Sequence, residues 1–118
     1  MAAASSPTNE YIYVLRINRA AILTDGPTPE EAQIVSAHWD YLVDLHQKGI
    51  IFFCGRTSVM NESTFGMVVF KCDSPEKADE IMQADPAVRL GVMRGEVFPF
   101  QVYLREVPDA PAPPPGHT

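Results

Sequence analysis

The sequence predicts an α+β fold in which four strands and two helices follow one another as β-α-β-β-α-β. Three observations carry this. Two helix starts are announced by a capping residue followed by proline, at Thr28-Pro29 and Ser74-Pro75. Apolar runs rich in β-branched and aromatic residues flank both helices, and turn-forming residues separate these runs. A chain of 118 residues, 46% hydrophobic and 20% charged, holds enough apolar material for one core and is too short for two ordinary domains.

Taken in order, Tyr11-Ile12-Tyr13-Val14-Leu15-Arg16-Ile17 reads as the first strand. Thr24 to Thr28 contains Asp25-Gly26-Pro27, which is turn chemistry. Thr28 then caps a helix, Pro29 fits its first position and Glu31 completes a capping box. This helix is expected to reach about Lys48 and stop at Gly49. Ile50 to Cys54 and Phe65 to Lys71 are the second and third strands, with turn-like residues between them. The second helix opens at Ser74-Pro75 and continues to about Ala84; Asp85-Pro86 caps a further short helical turn that ends near Gly91. Val97 to Leu104 completes the set, and Pro99 within it marks an edge strand or a bulge. Four strands and two helices in this order make the split ferredoxin-like arrangement.

Composition changes at both ends of this unit. Residues 1–9 are small and polar and are expected to be a flexible N-terminus, residues 10–106 form the domain, and residues 107–118 (VPDAPAPPPGHT) read as a disordered, proline-rich tail. Such a tail is either a solvated end or a ligand for a proline-reading groove.

The strands also speak to assembly. Tyr11, Tyr13, Leu15 and Ile17 line one face of the first strand, yet Ile12 and Val14 make the other face apolar too. The third strand repeats this, with Met67 and Val69 opposite Val68 and Phe70. Two helices cover one face of a sheet, and a solvated second face would alternate apolar with polar. A homodimer, or a larger homo-oligomer, is the expected cover. The first helix agrees, because Ile34, His38, Tyr41, Leu42 and Leu45 form one stripe and Val35, Trp39 and Val43 widen it. Trp39 would sit at a subunit interface or under a flanking loop.

Charge narrows the partners. Fifteen acidic against nine basic side chains leave a net charge of −6 without a Lys/Arg cluster, so nucleic acid is not an expected partner. No apolar run approaches the roughly 18 residues of a membrane span, and no secretory signal is expected at the N-terminus. Cys54 and Cys72 do not suffice for a disulfide framework or a zinc site, and a reduced, cytoplasmic setting is the default. No nucleotide, metal or hydrolase motif occurs, so no cofactor and no metal are expected.

Among three histidines, His117 lies in the tail and His46 near the end of the first helix, where the helix dipole favours a cation. His38 stands at the centre of the apolar stripe, where an imidazole needs a hydrogen-bond partner or a wet pocket. Asp85 has a ready role as a helix cap, and spacing alone does not bring it to His38. Arg16 in the first strand and Arg56 after the second are candidates to hold an anionic substrate. Tyr13 and Ser58, with Tyr11, are weaker candidates for a pocket wall. Cys54 and Cys72 read as inert buried thiols.

The segments SAHWDYLVDLHQKGIIFFCGR, FGMVVFKCDSPEKADEIMQADPAVRLGV and VFPF resemble the YciI-like family, the YCII-related domain, over about Tyr11 to Leu104. Ala37-His38, Gly49, Gly55, Asp85-Pro86 before Gly91 and the closing Pro99-Phe100 carry the likeness through their order and spacing. The sequence departs from the family at Val35, where a basic residue is frequent, and at Gly55-Arg56, where Gly-Pro is frequent. The resemblance implies a dimeric α+β barrel built from two ferredoxin-like subunits, with His38 and Asp85 as a His–Asp pair in a cleft. A carboxylate on one imidazole nitrogen fixes the tautomer and raises the basicity of the other. The leading expectation is therefore a small cofactor-independent enzyme of lyase or isomerase type, acting on a small cyclic or enolic substrate. A non-catalytic dimeric ligand-binding module, or a cofactor-free oxygenase of the same barrel superfamily, is the alternative.

Overall fold

Residues 9–105 are described by a computed structural model. The expected flexible N-terminus, the proline-rich tail and His117 lie outside the described residues, apart from Asn9. In chain order the elements are β1 (Glu10–Ile17), α1 (Ala21–Asp25), α2 (Pro29–Gln47), β2 (Ile51–Arg56), β3 (Gly66–Lys71), α3 (Pro75–Ala84), α4 (Pro86–Arg89) and β4 (Met93–Pro99). The strands form one sheet in the order β2-β3-β1-β4, every neighbouring pair antiparallel. This is the ferredoxin-like α+β class read from the element order. Among the described residues no helix is long and apolar enough to cross a membrane.

Local chemistry sets the ends of α2. The Thr28 hydroxyl accepts the Glu31 N–H while the Glu31 carboxylate accepts the Thr28 N–H, completing the capping box. Arg19 donates its Nε–H to Glu31 at 2.9 Å, and this bond, with the Thr28 contact, lowers the Glu31 carboxyl to about 2. At the other end Gly49, with φ +78°, takes the left-handed turn that releases the chain into β2.

One face of the sheet carries the core. Tyr11, Tyr13, Leu15, Ile51, Val68 and Phe70 pack there against Leu42 and Leu45 of α2 and Ala78 and Met82 of α3. Tyr13 meets Phe70 edge to face, ring centres 5.6 Å apart. Gly95 lets β4 come close beneath α3, since a Cβ at that position would lie 2.7 Å from Met82 Sδ.

Two boundaries differ from the sequence expectation. The stretch before Gly26 is not only a turn: Ala21 to Asp25 winds into α1, closed by the Gly26 N–H donating to the Ile22 carbonyl, and its Ile22 and Leu23 line a cavity beside α2. The last strand is Met93–Pro99 and not Val97–Leu104. Its register on β1 runs from Ile17↔Met93 to Tyr11↔Pro99, so β1 is used up where Pro99 arrives. Arg94, Gly95 and Glu96 hid the first half of this strand by interrupting its apolar pattern.

The residues after β4 cover part of the second sheet face from within the chain. Phe100 donates its N–H to the Glu10 carbonyl, Val102 donates its N–H to the Glu10 carboxylate, and the Arg105 guanidinium lies 4.1 Å from the centre of the Phe52 ring. This strap runs from edge strand β4 to the opposite edge strand β2. Further along that face Ile12 and Val69 are buried in the single chain, flanked in register by Phe98 and Phe53, each about half exposed.

Candidate active site

The site begins with the period of α2. Leu42 and Leu45 are buried against the sheet, and His38, one turn earlier on the same stripe, is carried to where α2 packs on α4. Asp85 closes α3 and caps α4, its Oδ1 accepting the Ala87 N–H at 2.9 Å. That cap does not exhaust the carboxylate. His38 Nδ1 lies 2.7 Å from Oδ1 and 2.9 Å from Oδ2, and the Tyr13 hydroxyl donates to Oδ2 at 2.7 Å. Capping and pairing with His38, alternatives in the sequence, are both present.

Asp85 has no solvent exposure, and its carboxylate is received by three donors from three elements: β1, α2 and α4. A buried carboxylate without such partners would be strongly destabilising. The Tyr13 side chain is fully buried, and burial together with the Asp85 charge pushes its hydroxyl well above the ordinary tyrosine range. It therefore remains a donor at any ordinary pH. Tyr41 donates its hydroxyl to the Ile81 carbonyl at 2.6 Å, and burial, with the Asp85 charge, pushes it up to about 12.

With Nδ1 engaged by Asp85, Nε2 is the nitrogen left to His38 for chemistry. His38 lines a cavity of about 830 Å³, bounded by α1, α2, the ends of β1 and β2 and the loop before β3. Its wall is mainly apolar, including Val35, Trp39, Phe65 and Met93. Cys54 is also on the wall, and burial raises its thiol, which disfavours the reactive thiolate.

The remaining sequence candidates divide. Arg56 is on the cavity wall. Arg16 is not; its guanidinium lies 5.3 Å from the centre of the Phe65 ring, on the far side of the strand from Tyr13 and Leu15. Ser58 is exposed in the β2–β3 loop and does not line the cavity. Tyr13 is placed differently from a substrate-binding residue, because its hydroxyl is buried and spent on Asp85. Tyr11 is likewise buried in the core. His46 is exposed in the last turn of α2. Among the described residues no group of three His, Cys, Asp or Glu side chains is arranged to hold a metal ion. What sequence reasoning missed is the part of the wall built by Ile22, Leu23 and Met60 and the part Tyr13 plays beneath Asp85. The apolar triplet Ala21-Ile22-Leu23 was the available signal for the first.

Two outcomes follow from this geometry. Tyr13→Phe removes one of the donors to a buried carboxylate oxygen and is expected to cost about 1–3 kcal/mol in urea unfolding; an unchanged midpoint would contradict the arrangement. The second concerns alkaline pH. Unfolded tyrosines lose their protons near pH 10, whereas Tyr41 and Tyr13 hold theirs longer in the native protein, Tyr41 to about 12. Between these values the native state binds more protons than the unfolded one, so stability falls as pH rises. Urea midpoints should fall from pH 10 upward, and Tyr41→Phe should flatten part of that fall.

Comparison with known proteins agrees with this architecture. Residues 11–101 match the family model described as YCII-related domain. A search of the curated proteins finds no match. A solved structure of 5-chloro-2-hydroxyhydroquinone dehydrochlorinase (TftG) from Burkholderia phenoliruptrix AC1100, in complex with 2,5-dihydroxybenzoquinone, superimposes with a TM-score of 0.56. It is 18% identical in sequence, and the match covers 77% of this chain and 93% of that one. The likeness in structure is one of fold, and the family match spans most of the sequence: the chain belongs to the YCII-related domain family.

Proposed function

We propose that this chain is a small enzyme of lyase or isomerase type that uses His38 as general acid and base. The single observation that carries the reading is the buried Asp85 carboxylate bonded to His38 Nδ1, which leaves Nε2 to a cavity able to hold an organic molecule. Asp85 fixes the ring's tautomer and orientation and stabilises the imidazolium that forms during proton transfer. Nε2 takes a proton from carbon or oxygen of an enolisable substrate. The electron pair left behind forms a new π bond, and in an elimination the leaving group departs with its own pair. In an isomerisation the proton is returned at another atom. Neither path changes the oxidation state of the protein or requires a group beyond these residues. The dehydrochlorination named for the structural neighbour is an elimination of this kind, and it supports the lyase branch.

A panel of halogenated and hydroxylated enolisable compounds, assayed for halide release and for spectral change, tests the reading. General acid–base help is worth about 10²–10⁴ in rate, so His38→Gln should lose that much turnover while keeping the fold. Asp85→Asn should lose less, since an amide keeps the cap and part of the ring's orientation. A His38→Gln variant with wild-type turnover would contradict the reading. Binding of panel members without turnover of any would favour the alternative of a non-catalytic binding module.

The enzyme is further proposed to act as a homodimer in the cytoplasm, joined through the sheet face that carries Phe53 and Phe98. The half-exposed aromatics on either side of Ile12 and Val69 support this, as do the two free cysteines for a reducing compartment. A stable dimer buries about 1,200–2,000 Å² in total. Light scattering at micromolar concentration should return twice the chain mass, and a monomer mass, or a Phe53→Asp/Phe98→Asp double variant that stays dimeric, would refute this interface.

A further inference from the structure

The wall of the His38 cavity is charged very differently from the rest of the chain. Fifteen acidic residues outnumber nine basic ones overall, yet no Asp or Glu is among the described residues that line the cavity. Arg56 is the one permanently charged side chain there. Its hydrogen bonds within the fold go to the Thr57 carbonyl at 3.1 Å and to Met60 Sδ at 3.7 Å, and neither partner is anionic. The ion pairs of the described residues employ other cations: Arg19, Lys48 and Lys77, and His38 when it is protonated.

Size and polarity add to this. At about 830 Å³ the cavity stands toward the upper end of the roughly 300–1,000 Å³ typical of ligand pockets, several times the space of one hydroxylated ring. Val35 and Trp39 on α2 face it alongside Phe65, just before β3, and Met67 within that strand. Water gains little on such a wall, whereas an apolar body displaces it favourably. The polar side-chain groups are few, Arg56, His38, Thr64, the Trp39 indole N–H and the weakly polar Cys54 thiol, which suits a ligand with one charged head and one reacting centre.

We infer that the site takes an amphipathic carboxylate: an apolar body larger than one ring laid against Val35, Trp39, Phe65 and Met67, with its carboxylate paired to Arg56. The inference rests on the acid–base reading for the position of the reacting carbon at His38 Nε2, and on the cavity alone for the class of molecule. Arg56 is then the residue that selects anions, through a guanidinium that pairs with a carboxylate by two parallel hydrogen bonds.

Trp39 is the single tryptophan of the chain and stands on the cavity wall, so its fluorescence reports occupancy. The probes are octanoate, propionate, octan-1-ol and octylammonium, titrated against the full-length protein near neutral pH. Octanoate should shift the Trp39 emission and bind at least about ten-fold more tightly than propionate, which lacks most of the apolar body. It should also bind at least about ten-fold more tightly than octylammonium. Arg56→Gln should weaken octanoate by about ten-fold or more and leave octan-1-ol unchanged, which also reports that the cavity is intact. Equal binding of octanoate and octylammonium, or full octanoate affinity in Arg56→Gln, would overturn the anion assignment. Propionate binding as tightly as octanoate, or no probe binding at millimolar concentration, would overturn the apolar body. None of these readings involves proton transfer, so the acid–base role of His38 is judged separately by turnover of His38→Gln.

Discussion

A carboxylate with no solvent exposure is the constraint around which this fold is arranged. Asp85 receives the Tyr13 hydroxyl from β1, the Ala87 N–H from α4 and the His38 ring from α2. Burying that charge costs several kcal/mol before its partners are counted. Every donor must therefore arrive in place, and the positions of the strand, the long helix and the short helix follow from this. Tyr13 is held by Val68 across the ladder and by its edge-to-face contact with Phe70. Leu42 and Leu45 fix the rotation of α2 that turns His38 toward Asp85. The capping box at Thr28 and the left-handed Gly49 set where that helix begins and ends.

The same arrangement gives the two nitrogens of His38 different surroundings. Nδ1 is held by the buried Asp85 while the ring also lines the cavity, so His38 stands at the boundary between a satisfied polar network and a mainly apolar cleft. A Tyr–Asp–His chain of this sort links the core directly to the imidazole on the cavity wall. Packing errors at Tyr13 or Phe70 would therefore be felt at the site as well as in stability.

Much of the fold was legible in the residues, for physical reasons that differ by element. The starts of α2, α3 and α4 were readable because Thr28-Pro29, Ser74-Pro75 and Asp85-Pro86 satisfy local N–H groups whatever the tertiary context. The start of β4 was not, because Gly95 is required by the close approach of Met82, a contact between distant segments that leaves no local pattern. Helix α1 was masked by the stronger turn chemistry of Asp25-Gly26-Pro27 that ends it. At the site, His38 stood out as an imidazole on an apolar stripe, and the family resemblance named Asp85 as its partner. The strand position of Tyr13 suggests a pocket residue and does not reveal that the hydroxyl reaches a carboxylate 72 residues later in the chain. Arg16 and Arg56 looked equivalent in the sequence, and only the sheet geometry separates them, by placing Arg56 on the cavity wall and Arg16 against Phe65.

The proposed proton transfer depends most on the division of labour within one imidazole ring. Nitrogen chemical shifts of His38 in ¹⁵N-histidine-labelled protein, recorded with the ring in its neutral form and assigned through His38→Gln, read that division directly. Nδ1 should carry the proton and show the shift of a pyrrole-type nitrogen, with Nε2 showing the downfield shift of an unprotonated one, and Asp85→Asn should blur the distinction. A ring protonated on Nε2, or shifts averaged between both tautomers in the wild-type protein, would contradict the claim that Asp85 prepares His38 for proton transfer.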